Sequence, residues 1–149
     1  MTPSSSVAVC LWYDSNAEEA ARFYTSLLPN SAILSVSPVM VTFTLDGVPF
    51  QALNGGPQFK PTEAASISVT TKDQQETDYL WSALTADGGE EGQCAWLKDR
   101  FGVSWQIVPQ ILSKLLGSPD RQAANRAMQA MLQMSKIDIE TLESAFKGA

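Results

Sequence analysis

Apolar and polar residues alternate along this chain in two similar sets of short strands, each set interrupted by one amphipathic helix. Val7-Ala8-Val9-Cys10-Leu11 and Ser66-Ile67-Ser68-Val69-Thr70 have strand composition, and each leads to an aspartate, Asp14 or Asp73, that opens a helix. Ser15-x-x-Glu18 and Asp73-x-x-Glu76 have capping-box spacing. In that motif a side-chain oxygen accepts from an orphan amide while the glutamate reaches back. Apolar stripes at Ala20, Phe23, Tyr24, Leu27 and Leu28, and at Leu80, Trp81 and Leu84, supply the faces to be buried. Pro29 ends the first helix, because the residue before a proline resists helical geometry. Gly88-Gly89 ends the second.

Each set closes on nearly the same strand. Gly47-Val48-Pro49-Phe50-Gln51-Ala52-Leu53 is echoed by Gly102-Val103-Ser104-Trp105-Gln106-Ile107-Val108, each after an acidic residue, Asp46 or Asp99, in turn-like sequence. Strand, cap, helix and final strand recur in one order, which predicts a duplicated supersecondary unit. The expected class is α+β, with two tandem βαβββ modules followed by C-terminal helices. A single domain over 1–149 divides into module one (about 7–54), a linker (55–64), module two (about 65–109) and a helical tail (110–149). In the tail, Pro109-Gln110-Ile111-Leu112 starts a short apolar helix ending at Gly117, and Ser118-Pro119 reads as a cap and first-turn proline. Helix then continues through Ala124, Ala127, Met128, Met131, Leu132 and Met134, and a last helix holds Ile139, Leu142 and Phe146. These stripes suit docking onto the body or onto a second subunit.

Composition narrows the function. At 149 residues and 44% hydrophobic content the chain can bury a substantial core. A formal charge of −6, with scattered Lys and Arg, opposes a nucleic-acid partner, which needs a basic stripe. No apolar run approaches membrane-spanning length, and residues 1–6 form a polar start without a signal-peptide core, so a cytoplasmic location is expected. Cys10 and Cys94 read as buried reduced thiols in apolar strands, with a disulfide left open. Histidine is absent, which removes the commonest general base and zinc ligand. Neither a G-x-G-x-x-G turn after a strand nor a phosphate loop is present, so nucleotide-driven chemistry has no foothold.

Several motifs carry a resemblance. They are Leu11-Trp12-Tyr13-Asp14 with Glu18-Glu19-Ala20 and Phe23-Tyr24; Phe50-Gln51-Ala52-Leu53-Asn54-Gly55-Gly56-Pro57; Gly89-Glu90-Glu91-Gly92; and the run from Trp96 to Pro109. With the duplicated module, they resemble the glyoxalase/bleomycin-resistance/dioxygenase (vicinal oxygen chelate) superfamily over roughly residues 7–146. Within it they look like the PhnB-like branch, often labelled 3-demethylubiquinone-9 3-methyltransferase-like. The resemblance implies a cupped mixed sheet, a homodimer and a metal site whose ligands fall at fixed offsets. Counting seven back from Asp14 and Asp73 gives Val7 and Ser66; counting four on from Gly47 and Gly102 gives Gln51 and Gln106. Neutral amides, a valine and a serine make a weak cage for a divalent ion, so the metal site is expected to be vacated and no cofactor is implied.

What remains is a binding cup for a small, apolar or aromatic molecule. Strand alternation places Val7, Val9, Leu11 and Tyr13, Pro49, Gln51 and Leu53, Ser66, Ser68 and Thr70, and Ser104, Gln106 and Val108 on its lining. The candidate ligand-binding residues are Tyr13, Gln51, Asn54, Phe59, Ser66, Ser68, Trp96 and Gln106. Gln51 and Gln106 suit ligand binding and simple amide or water bonding equally well. Trp12, Phe59 and Trp96 suit an aromatic wall or sheet support, and Asn54-Gly55-Gly56-Pro57 a ligand loop or a mere connection. Glu90 and Glu91 are the candidates for acid–base work, although adjacent acids in a Gly-rich loop are more often solvated. Three function classes follow: metal-free binding, an enzyme with an atypical site, and the methyl transfer of the label. The last needs an S-adenosylmethionine pocket, of which the sequence carries no pattern.

Overall fold

The computed structural model describes residues 5–149, so the polar start expected over residues 1–6 lies mostly outside the described residues. The chain forms two compact units, Met1–Pro61 and Thr62–Ala149. Each contains one βαβββ module, as the repeat requires.

The first unit runs β1 (Val9–Tyr13), α1 (Ala17–Leu27), β2 (Ala32–Val36), β3 (Met40–Leu45) and β4 (Val48–Asn54). Its sheet order is β1-β4-β3-β2, with β1 parallel to β4 and the other pairs antiparallel. The β3–β4 hairpin turns on Asp46 (φ 48°) and Gly47 (φ 79°). A two-residue hairpin needs positive φ at both central positions, and Asp-Gly accepts it. On the inner face Val41, Phe43, Leu45, Phe50 and Ala52 are buried against Ala17, Ala20, Ala21 and Tyr24 of α1. The three alanines let the helix lie close, while the Phe43 and Phe50 rings stack at 5.5 Å and Tyr24 tilts against Phe43 at 6.4 Å.

The capping box expected at Ser15 does not form. The N-cap is Asn16, whose own side chain makes no cap bond. Asn54 at the end of β4 takes over: its Oδ1 accepts from Ala17 N at 2.9 Å. An orphan helix amide is thus met from across the sheet.

The second unit runs β5 (Ser66–Thr71), α2 (Gln74–Thr85), β6 (Glu90–Glu91), β7 (Trp96–Lys98) and β8 (Ser104–Pro109), in the order β5-β8-β7-β6. Again the outer strand β5 is parallel to the closing strand β8. Here the cap forms as expected, with Asp73 Oδ1 accepting from Glu76 N at 2.9 Å and Glu76 Oε1 from Lys72 N at 3.2 Å. Asp99, 2% exposed, organises the β7–β8 turn. Its Oδ1 accepts from Phe101 N and Val103 N, and its Oδ2 accepts from Trp105 Nε1 at 2.9 Å.

The tail comprises α3 (Gln110–Leu116), α4 (Arg121–Met131) and α5 (Ile139–Lys147). α3 stops at Gly117 as expected. Ser118-Pro119 is not the cap of α4; Asp120 is, accepting from Ala123 N at 3.1 Å, while Ser118 Oγ accepts from Asp120 N. α4 ends at Met131, which leaves Leu132 and Met134 in the following turn. The tail packs onto its own module: Ala95, Leu112, Ala127, Ile137 and Leu142 form one buried cluster. Cys94 (φ 55°) and Ala95 (φ 78°), both left-handed, donate their amides to Met134 O and Ser135 O. The Gln74 side chain adds a clamp, donating to Ile137 O and accepting from Ile139 N.

Both cysteines are free, and neither matches the expected burial. Cys10 is exposed because it points away from α1, and Cys94 lies in the left-handed link outside any strand. No helix among the described residues is long and apolar enough to cross a membrane.

Candidate functional site

Strand register decides which side chains share a face. In the first unit Gln51 lies between Cys10 of β1 and Thr42 of β3, and Thr42 lies beside Ser35 of β2. The next row is Trp12, Leu53 and Met40. Both rows belong to the open face, opposite the residues buried beneath α1. Val9 and Leu11 are in register with Phe50 and Ala52, and Tyr13 with Asn54, which corrects their expected place beside Gln51. Tyr13 is 4% exposed and donates its hydroxyl to Tyr24 Oη at 2.9 Å. Val7 precedes β1 and is 73% exposed. The error is one of phase. Asp73 caps its helix directly, whereas the chain after Asp14 continues to Asn16 before turning, so equal counts from the two aspartates reach inequivalent positions.

Asn54 is likewise held within the fold, since its Oδ1 caps α1 and its Nδ2 donates to Pro38 O at 3.0 Å. Trp12 Nε1 donates to Gly56 O at 2.9 Å, and the Phe59 ring meets the indole edge-on at 4.9 Å. Phe59 is 64% exposed, so this aromatic pair stands at the border of the Gln51 face with one ring in solvent.

In the second unit Gln106 lies between Ser68 and Trp96, and Ser104 between Ser66 and Lys98. Gln106 Nε2 donates to Ser66 Oγ at 3.0 Å. Ser68 is exposed and Trp96 half-buried. Glu90 and Glu91, adjacent in sequence, fall on opposite faces. Glu91 is in register with the buried Leu97 and accepts from Trp81 Nε1 at 2.6 Å. Glu90 is in register with Lys98, whose ammonium is ion-paired to Glu63. The hydrogen bond from Lys98 holds the Glu63 carboxyl below its usual range, and the same contact raises Lys98.

The donor chemistry does not fit a divalent cation. The residues flanking the two glutamines are Cys10, Thr42, Ser68 and Trp96, with no carboxylate or imidazole. Partial burial raises the Cys10 thiol, which disfavours the thiolate a metal would need. Among the described residues no three His, Cys, Asp or Glu side chains are grouped to hold a metal ion.

A separate groove of about 590 Å³ runs along α2 and α5, lined in part by Gln74, Asp78, Lys136, Glu140 and Lys147. Sequence reading missed it, because Gln74 of α2 and Ile139 of α5 are 65 residues apart along the chain and meet only in the fold. Its inner polar groups already serve the fold: Asp78 accepts from Gln74 at 2.9 Å and pairs with Lys136 at 2.9 Å.

The family model of 3-demethylubiquinone-9 3-methyltransferase matches residues 5–108. The match ends before α3, so the resemblance expected through residue 146 is shown for the two modules and not for the tail. Comparison with curated proteins gives no match. Among solved structures, a PhnB protein from Bacillus cereus, provisionally described as a 3-demethylubiquinone-9 3-methyltransferase, is 29% identical with a TM-score of 0.66. The alignment covers 70% of this chain and 99% of that one. A Pseudomonas aeruginosa protein is 21% identical over 71% of this chain and 98% of its own, with a TM-score of 0.56. A glyoxalase/bleomycin resistance protein from Albidiferax ferrireducens is 14% identical over 69% of this chain and 96% of its own, with a TM-score of 0.53. The last two show a shared fold.

Proposed function

We propose that this chain, which belongs to the 3-demethylubiquinone-9 3-methyltransferase family in the PhnB-like branch of the glyoxalase/bleomycin-resistance/dioxygenase superfamily, binds a small molecule without a metal. The ligand has an apolar or aromatic body and lies on an open sheet face. One observation carries this reading: each open face has an uncharged amide at its centre, Gln51 or Gln106, with tryptophan nearby, Trp12 or Trp96. Binding sites of this kind combine apolar walls with a few placed polar groups. Gln51 and Phe59 on the first face, and Ser66, Ser68, Trp96 and Gln106 on the second, are the residues proposed to touch a ligand. Tyr13 and Asn54 are set aside because their polar atoms already serve the fold. We place the protein in the cytosol as a homodimer, in keeping with its free thiols and its superfamily.

The test is elemental analysis after separate exposure to zinc, manganese, nickel and iron, followed by dialysis. The expected result is no stoichiometric metal. Retention that disappears in the Gln51→Ala, Gln106→Ala double variant would overturn the reading.

The family's name favours a second reading, methyl transfer. Against it, the β1–α1 and β5–α2 connections contain no glycine, although each follows a strand with a parallel neighbour. A backbone cradle for a nucleoside cofactor usually needs glycine there. Saturable heat on titration with S-adenosylmethionine would establish this second reading in place of the first.

A further inference from the structure

Ser104 is 1% exposed, and its buried Oγ has no hydrogen-bond partner. A buried hydroxyl without a partner weakens the fold, and alanine at the same place would avoid that cost. Unmet polar atoms therefore call for an explanation, and a bound group is one. Strand register places Ser104 on the open face of the second sheet, between Ser66 and Lys98 and two residues before Gln106.

We propose that Ser104 is a specificity-determining donor for an uncharged ligand that carries a carbonyl oxygen next to an N–H or O–H, such as an amide. This rests on the reading of the open faces as ligand-bearing. Three features select that chemistry. Gln106 donates its amide nitrogen to Ser66 Oγ, which leaves its carbonyl oxygen to receive the ligand's N–H or O–H. The Ser104 hydroxyl supplies the complementary donor to the ligand's carbonyl. An anion meets no free positive charge, because Lys98 is paired with Glu63 and has Glu90 in register beside it, and a cation such as an ammonium brings no acceptor for the Ser104 hydroxyl. Trp96, in register with Gln106, offers an apolar flank for a flat ligand body. Lys98, with a side chain 40% exposed, neighbours Ser104 in register, and the proposal requires that side chain to swing aside for a ligand to reach the hydroxyl.

The experiment uses the full chain and three probes of one shape: benzamide, benzoate and benzylamine. Binding is followed by the backbone and side-chain amide signals of residues 66–68, 96 and 104–106. Benzamide should shift the Gln106 side-chain amide, and the two charged probes should not. Ser104→Ala should weaken benzamide about tenfold while its melting temperature stays level or rises. A lower melting temperature in Ser104→Ala would show that the hydroxyl serves the fold, through an internal water for instance, and would overturn the proposal. Unchanged benzamide affinity in Ser104→Ala, with Gln106→Ala impaired, would overturn it while leaving the binding role of the face intact. Preference for benzoate or benzylamine would overturn it too. If no probe touches either open face, both this inference and the function on which it rests fail.

Discussion

Gly55 occupies a position where only hydrogen fits. A Cβ there would lie 2.3–2.6 Å from three ring carbons of Trp12, whose nitrogen is anchored to Gly56 O. Gly55→Ala must therefore lift the indole, and with it the Phe59 contact. The expected cost is about 1–3 kcal/mol, the usual size of an overpacking strain, read as a lower urea midpoint with altered tryptophan emission. Sequence alone marked Asn54-Gly55-Gly56-Pro57 as a connecting or ligand loop. Its actual tasks, capping α1 and seating Trp12, depend on residues about 40 positions away, and local spacing carries no trace of them. The same holds for Cys10. An apolar run gives its strand but not which way the thiol points, and the neighbours in register decided that.

At the level of elements, the hydrophobic pattern was sufficient for both helices, the proline stop of the first and the repeated closing strand, whereas α2 ends at Thr85, ahead of the expected stop at Gly88-Gly89. The pattern failed on phase. One face of β4 and β8 follows correctly from alternation, because Phe50, Ala52, Trp105 and Ile107 are large or tightly packed and must turn inward. β1 is apolar at nearly every position, so its alternation has no polar member to fix the sense, and Tyr13 was placed on the wrong side. Polar clamps between elements escape sequence reading for a similar reason. Asp78 is held below the ordinary aspartate range by the hydrogen bond from Gln74 and then by Lys136. Its folded form binds fewer protons than its unfolded form, so its contribution is present above the unfolded value of about 3.9 and is lost as pH falls through the lower folded value. The pair is about half exposed, so Asp78→Asn should cost only about 0.5 kcal/mol at neutral pH. The difference between wild-type and variant melting temperatures should close on acidification below the aspartate range, measured by calorimetry across that series.

For the whole molecule, duplication was legible from one repeated strand, and family membership from a handful of motifs. The tail was legible as helices but not as an integral part of the second module. Leu142 is fully buried in the cluster that joins α5 to Ala95 and Leu112. Leu142→Ala should destabilise this unit by about 2–5 kcal/mol through lost packing and a residual cavity. Hydrogen exchange should then quicken first at the amides of Cys94 and Ala95, which are bonded to Met134 and Ser135; unchanged protection there would show that the tail is an independent appendage.

That left-handed link between Cys94 and Ala95 also sets an order of assembly. A chain emerging from the ribosome holds every strand of its first module by residue 54, but the amides at 94 and 95 have no acceptors until residues 134 and 135 appear. During that interval Trp105 and Ile107 are already made while Ile137 and Leu142 are not, so the second half waits, sticky and incomplete, for its final helices.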